Sequence, residues 1–184
     1  MQTSSYIVLG LGWFLWGLPY AGAFLRHKSP TAQTVDRRAR IGMVLEALGY
    51  SLLWQAKFWL VHTPPFRFGL SVFFFLLAIV LAWWAPRTLG RHWRVDAGLN
   101  ADHSLVRSGP YRFVRHPIYS SMLFVFLATG LLITPPLLFL GAFLCFIIGT
   151  EIRVRLEDRL LEARFGDEFL AYRSRVPAYI PFVK

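Results

Sequence analysis

Charge and cysteine are what this sequence has least of. Only 16% of its 184 residues are charged and 55% are hydrophobic, whereas an ordinary soluble domain has about 25% charged and about 45–50% apolar residues. Disordered and collagen-like chains fit that balance poorly. A single cysteine, Cys145, excludes an intramolecular disulfide and with it a disulfide scaffold. Acidic residues are few as well, ten against twenty Lys and Arg, for a formal charge of +10. Such an excess can mark a nucleic-acid binder. Here the basic residues alternate with long apolar runs, which is the charge pattern of a membrane protein's cytoplasmic side, and no nucleic-acid partner is expected.

What the sequence does have is apolar runs. Tyr6 to Leu25 is free of charge, and at about 1.5 Å per residue it reaches roughly the 30 Å of a bilayer core. Its basic residues follow the apolar run, the reverse of a cleavable signal peptide. Ile41 to His62 is a second span, with Glu46 near one end and Lys57 near the other, where long side chains snorkel to headgroups. Phe68 to Ala85 is a third. Ile118 to Ile133 and Leu137 to Thr150, separated only by Thr134, Pro135 and Pro136, read as a helical hairpin whose short arms call for tilt or a thinned bilayer. Trp13, Trp16, Trp54, Trp59, Trp83 and Trp84 are expected as interfacial belts, in contact with membrane lipids.

The basic residues set the topology. Five lie between Arg26 and Arg40, six between Pro86 and Pro117, and seven after Glu151, so five crossings place eighteen of the twenty on one side. The positive-inside rule then puts the amino terminus outside and the carboxyl terminus in the cytoplasm. The expected fold is all-α: a polytopic membrane protein of about five transmembrane helices, with a cytoplasmic loop and carboxyl-terminal helices folded onto its base. Residues 1–184 read as one domain, with three spans in 1–85 and the loop, hairpin and last helices in 86–184.

Two groups of residues carry chemistry. The loop runs His103-Ser104-Leu105-Val106-Arg107-Ser108-Gly109-Pro110-Tyr111, then Arg115-His116-Pro117-Ile118-Tyr119. Gly-Pro forces a turn, and Pro117 suits the first turn of a helix. His116 and Tyr119 therefore flank a helix amino terminus, where free N–H groups, the positive dipole end and Arg115 favour an anion. A basic, proline-capped entry with an interfacial Tyr explains the same residues without a site. In the second group Arg153 and Glu157 stand four apart on one helix face, which fits either a site or a plain surface ion pair worth about 0.3–0.5 kcal/mol. Both groups lie at the same end of the hairpin.

Together these stretches resemble the isoprenylcysteine carboxyl methyltransferase family of integral membrane enzymes. The resemblance runs from about Asp96 onwards. It rests on His103-x-Leu105-Val106, Gly109-Pro110-Tyr111, Arg115-His116-Pro117-x-Tyr119, Arg153 four before Glu157, Phe165-Gly166-x-Glu168-Phe169, and Arg175-Val176-Pro177 with Pro181-Phe182. It implies S-adenosyl-L-methionine as methyl donor and S-adenosyl-L-homocysteine as product. The implied cofactor residues are His103, Ser104, Leu105, Val106, Tyr111, Arg115, His116, Pro117, Tyr119 and Glu157, with Asp96 aligned more loosely. Arg153 is implied to face the acceptor carboxylate. Asp158 stands where the family usually has Glu, and Ser121 where it commonly has Gly.

The implied activity is methyl transfer to the carboxylate of a prenylcysteine-like lipid entering from the bilayer, with the three spans of 1–85 on the substrate side. Phospholipid N-methylation, or methylation of a thiol or other small hydrophobic acceptor, is the alternative, and an amine nucleophile would find Arg153 badly placed. The likeness extends faintly to sterol reductases, which have more spans. A metal site at His92, His103 and His116 lacks ligand spacing. A non-enzymatic membrane scaffold leaves the ordered motifs unexplained. The expected location is a prokaryotic plasma membrane rather than the endoplasmic reticulum.

Overall fold

The computed structural model describes residues 3–26, 34–35, 37–55, 63–93, 98–99 and 104–180. Among them are six α-helices: α1 (Thr3–Arg26), α2 (Ala39–Leu53), α3 (Pro65–Leu89), α4 (Pro117–Ile133), α5 (Pro136–Phe165) and α6 (Asp167–Arg175). One antiparallel pair of two-residue strands, β1 (Thr34–Val35) and β2 (Gly98–Leu99), ties the connection after α1 to the polar loop. The helical expectation holds apart from this pair.

Proline sets the starts of three helices. Pro65, Pro117 and Pro136 occupy first-turn positions, where the missing N–H would have no intrahelical partner. The Thr134–Pro136 turn makes α4 and α5 a hairpin, as expected. Helix α5 does not stop at Thr150 but continues to Phe165, carrying Arg153 and Glu157 on a rigid extension of the apolar part.

Among the described residues two helices, α3 and α5, are long and apolar enough to cross a membrane. The expected five crossings exceed that. Helix α2 has 15 residues and α4 has 17, about 22 and 26 Å at the usual helical rise. The second expected span therefore continues as helix only to Leu53, and its remainder, including Lys57, lies largely outside the described residues. Outward faces remain apolar: Leu137 is 84% exposed, and Phe66, Phe73, Leu76 and Val80 are exposed on α3. Such faces suit lipid.

Helix α4 is the axis of the fold and is buried along most of its length. Phe126 stacks on Phe146 of α5, with ring centroids 4.6 Å apart, and meets Tyr50 of α2 edge-on at 5.3 Å. On the opposite side Val125, Ala128 and Leu132 pack with Phe75 and Ala78 of α3 and Leu9 of α1. Trp13 and Trp16 depart from the expected belt: they turn inward and donate their indole N–H groups to Thr129 (3.1 Å) and Ser121 (2.7 Å) of α4. In low dielectric an indole N–H finds a better partner in a buried hydroxyl than in none.

Helices α2 and α5 cross on small residues. A Cβ added to Gly42 would lie 2.6 Å from the Gly149 carbonyl oxygen, and one added to Gly49 would lie 2.9 Å from that of Ala142. Close backbone approach through such residues is a common way for apolar helices to associate in lipid. At the far end of α4 the carbonyls left over by the helix are taken up by side chains. Gln55 donates to Ile133, Thr63 to Leu132, and Arg67 to Gly130 and Thr134. Buried helix ends need such partners.

Candidate functional site

The site forms where the start of α4, the polar extension of α5 and the segment after α6 converge. Pro117 opens α4, and His116 sits just before it in a non-helical conformation. The extended segment after α6 pairs with this turn. The Arg115 N–H donates to the Pro177 carbonyl and the His116 N–H to that of Ala178, both at 2.8 Å. One turn into α4, the Ser120 hydroxyl donates to the Tyr179 carbonyl at 2.5 Å.

His116 is buried between two acids. Its Nε2 lies 2.8 Å from Asp158 Oδ1, and its Nδ1 lies 3.4 Å from Glu157 Oε2. Burial opposes charging of the ring, but the hydrogen bonds and charges of Asp158 and Glu157 outweigh it and raise the imidazole to about 9. Asp158 is buried as well, yet His116 and the Arg115 guanidinium, 2.7 Å from its Oδ2, hold its carboxyl below the ordinary range. Asp158 thus ties the turn to α5. Glu157 has a more open position: Tyr119 donates its hydroxyl to Oε1, and the side chain keeps about a quarter of its surface exposed.

Arg153 lies one turn before Glu157 and is buried. Its guanidinium carbon sits 4.9 Å from the centre of the Tyr119 ring, and its Nη1 donates to Glu46 Oε2 of α2 at 2.7 Å. Glu46 is 3% exposed, and its other oxygen accepts from the Thr150 hydroxyl at 3.1 Å. Snorkelling, the expectation for Glu46, is therefore corrected: the side chain points into the α2–α5 seam, because an arginine and a threonine there satisfy it better than a distant headgroup. An acid inside an apolar run, at a helical position that can meet another segment's arginine, was the signal for it.

The preceding loop is seated on α3 and α6. Gly109 has a positive φ of 56°, and an added Cβ there would meet Thr88 Oγ1 at 2.8 Å, so only glycine lets the Gly109-Pro110-Tyr111 turn seat on the end of α3. Tyr111 is buried, its carbonyl accepts from the Tyr172 hydroxyl at 2.6 Å, and its own hydroxyl has no partner among the described residues. Leu105 and Val106 are half-buried, and Ser104 lies 3.2 Å from His92 Nε2. Asp96 and His103 lie outside the described residues.

The structure thus brings His116, Pro117, Tyr119, Arg153 and Glu157 to one place. Arg115, expected to meet an anion, is engaged by Asp158 and by the Val176 carbonyl at 2.5 Å, so its visible work is to clamp the last segment to α4. Glu46, Thr150 and Asp158 are additional members of the cluster. Ser121 also gains a function: its hydroxyl donates to the Ala78 carbonyl of α3 at 2.9 Å while receiving Trp16 of α1. Chemically, the cluster offers a carboxylate for a cation and a guanidinium for an anion.

Known proteins resemble parts of this chain. A protein-S-isoprenylcysteine O-methyltransferase of Xenopus laevis is 34% identical over 82 residues, which are 45% of this chain and 28% of that protein. Protein-S-isoprenylcysteine O-methyltransferase B of Arabidopsis thaliana is 29% identical over 119 residues, 64% of this chain and 59% of that protein. The cobalt-zinc-cadmium resistance protein CzcN of Cupriavidus metallidurans is 34% identical over 95 residues, 51% of this chain and 44% of that protein. The matches thus span from under a third to under two thirds of these relatives' own lengths. The isoprenylcysteine carboxyl methyltransferase (ICMT) family matches residues 71–163, just over half of the chain, from the body of α3 to the end of the α5 cluster. The chain belongs to the isoprenylcysteine carboxyl methyltransferase family.

Proposed function

We propose that the protein is an S-adenosyl-L-methionine-dependent methyltransferase that esterifies the carboxylate of a prenylcysteine-like lipid. The observation that carries this reading is the meeting of Arg153, Tyr119 and Glu157 at one end of the α4–α5 hairpin. The donor set fits the cofactor. The buried Tyr111 hydroxyl, without a partner among the described residues, and the partly open Glu157 carboxylate offer a hydrogen bond and an anion to an aminoacyl ammonium and its neighbours. Ser104, Leu105, Val106, His116, Pro117 and Tyr119 form the remaining wall, with Asp96 and His103 as further contacts and S-adenosyl-L-homocysteine left after the reaction.

When bound, S-adenosyl-L-methionine supplies an electrophilic methyl group on a sulfonium. Arg153 orients the acceptor by holding carboxylate oxygens in its fork. A carboxylate is already ionised at neutral pH, so the site needs positioning more than a base. His116, kept charged between Asp158 and Glu157, fixes the Glu157 carboxylate. The apolar tail of the acceptor enters sideways from the bilayer among the helices of 1–85, and the polar cluster faces the cytoplasm. Five crossings, an outside amino terminus and a prokaryotic plasma membrane complete the reading, and residues 1–184 act as one domain.

A lipid amine or a thiol is the second reading for the acceptor. It is favoured by the Glu46–Arg153 pair, because the guanidinium already has one carboxylate partner. The deciding experiment incubates detergent-solubilised protein with methyl-labelled S-adenosyl-L-methionine and, in parallel, a prenylated cysteine, a phosphatidylethanolamine and a long-chain thiol. Base-labile methyl ester on the prenylated cysteine is the expected product. Label on amine or thiol alone overturns the carboxylate reading.

A further inference from the structure

Arg153 sits in a place where a lone cation would be costly, and Glu46 sits against it. The six charged groups of the cluster, Glu46, Arg153, Glu157, Asp158, Arg115 and His116, are three acids and three bases joined by the contacts above. The set is neutral with His116 charged. Glu46 is anchored from two directions, by Arg153 and by Thr150, and the glycine seam holds its helix in place: an added Cβ at Gly42 would strike Arg153 Cγ at 2.5 Å. Nothing in the proposed methyl transfer uses Glu46 directly. A buried acid so firmly placed against the acceptor-facing arginine changes what that arginine does to an anion.

We propose that Glu46 is a positioning residue that fixes the Arg153 guanidinium over Tyr119 and prevents it from over-binding the acceptor carboxylate. This rests on the carboxylate reading above. During transfer a C–O bond forms at the acceptor, the methyl–sulfur bond breaks with its electron pair left on sulfur, and the acceptor's negative charge disappears. A bare guanidinium would stabilise the charged acceptor more than the transition state in which that charge is fading, which tightens binding and slows reaction. Glu46 balances the guanidinium while leaving it able to orient the carboxylate. The same balance favours an anion over an amine: a cofactor of net charge +1 and an acceptor of net charge −1 keep the cluster neutral, and so do the neutral products.

Glu46→Gln tests this, since it keeps the size and an oxygen to accept from Arg153, reverses the Thr150 contact so that the amide N–H donates to the hydroxyl, and removes the charge. Calorimetry in the presence of S-adenosyl-L-homocysteine reads acceptor affinity without reaction. There an N-acylated prenylcysteine, which carries that net charge of −1, should bind about tenfold more tightly to Glu46→Gln, with kcat about tenfold lower and the affinity for S-adenosyl-L-homocysteine itself unchanged. Glu46→Asp keeps the charge and should retain wild-type acceptor affinity. Should Glu46→Gln not fold, Thr150→Val loosens Glu46 by one hydrogen bond and should move affinity and kcat in the same directions by a few-fold. Acceptor binding that weakens or stays constant in whichever of these two variants is measured overturns the inference. A wild-type protein that methylates prenylated cysteine while Glu46→Gln or Thr150→Val matches it overturns this inference alone. A wild-type protein that ignores that acceptor overturns the carboxylate reading and this inference with it.

Discussion

His116 and Asp158 are joined at 2.8 Å in the interior, and that contact binds the turn before α4 to the extension of α5. It does so with opposite charges whose protonation differs from that of an unfolded chain. The His116 ring, raised to about 9, contributes stability that is fully present below its unfolded value of about 6.5 and is lost as pH rises through about 9. Asp158, held low, contributes stability that is present above its unfolded value of about 3.9 and is lost as pH falls through its lower folded value.

Thermal unfolding across pH checks this. The difference in Tm between wild type and His116→Gln should be largest near pH 5–6 and should shrink as the pH is taken from about 6.5 past about 9. A difference that grows on the alkaline side would show that the ring is buried neutral and that the two acids are held by other groups.

The glycine seam gives a second prediction. Gly42→Ala places a methyl against Arg153 Cγ and the Gly149 carbonyl oxygen, and overpacking of this kind costs about 1–3 kcal/mol. Gly69→Ala, also within a helix but exposed and with nothing within 4 Å, serves as the control. Denaturant unfolding in detergent should separate the two. Equal stabilities would mean that α2 and α5 do not cross at the distance described.

Part of the candidate site is legible in the sequence itself. The proline-capped entry at Pro117, the Gly-Pro turn and the Arg153–Glu157 spacing are local patterns, and local patterns fix which helix face or terminus a residue occupies. The spacing could not say whom Arg153 would meet: its carboxylate partner is Glu46, 107 positions earlier in the chain, brought near by glycines that carry no chemistry of their own. Trp13 and Trp16 show the same limit. Their amphipathic rings suit a membrane interface, yet two hydroxyls on α4 draw them inward. The end of α2 at Leu53 has a related cause, because an apolar run does not reveal where its backbone stops being helical.

Glu157 yields a third prediction. With Tyr119 and His116 both oriented on its carboxylate, Glu157→Gln keeps the shape and removes the charge that an aminoacyl ammonium needs. Affinity for S-adenosyl-L-homocysteine, read by calorimetry, should fall by about tenfold or more, the scale of a charge-assisted hydrogen bond. Unchanged affinity in a folded variant would remove Glu157 from the cofactor site.

The account turns on Arg153. Its most direct test measures methyl ester formation on a prenylated cysteine and S-adenosyl-L-homocysteine affinity side by side in wild type, Arg153→Lys and Arg153→Ala. Arg153→Ala should lose at least about a hundredfold in kcat/KM, the scale on which a buried, hydrogen-bonded charge partner matters, while cofactor-product affinity stays within a few-fold of wild type. Arg153→Lys should recover little, because a point charge does not reproduce the fork. Near-normal turnover by Arg153→Ala would contradict the assignment of the acceptor carboxylate to this arginine.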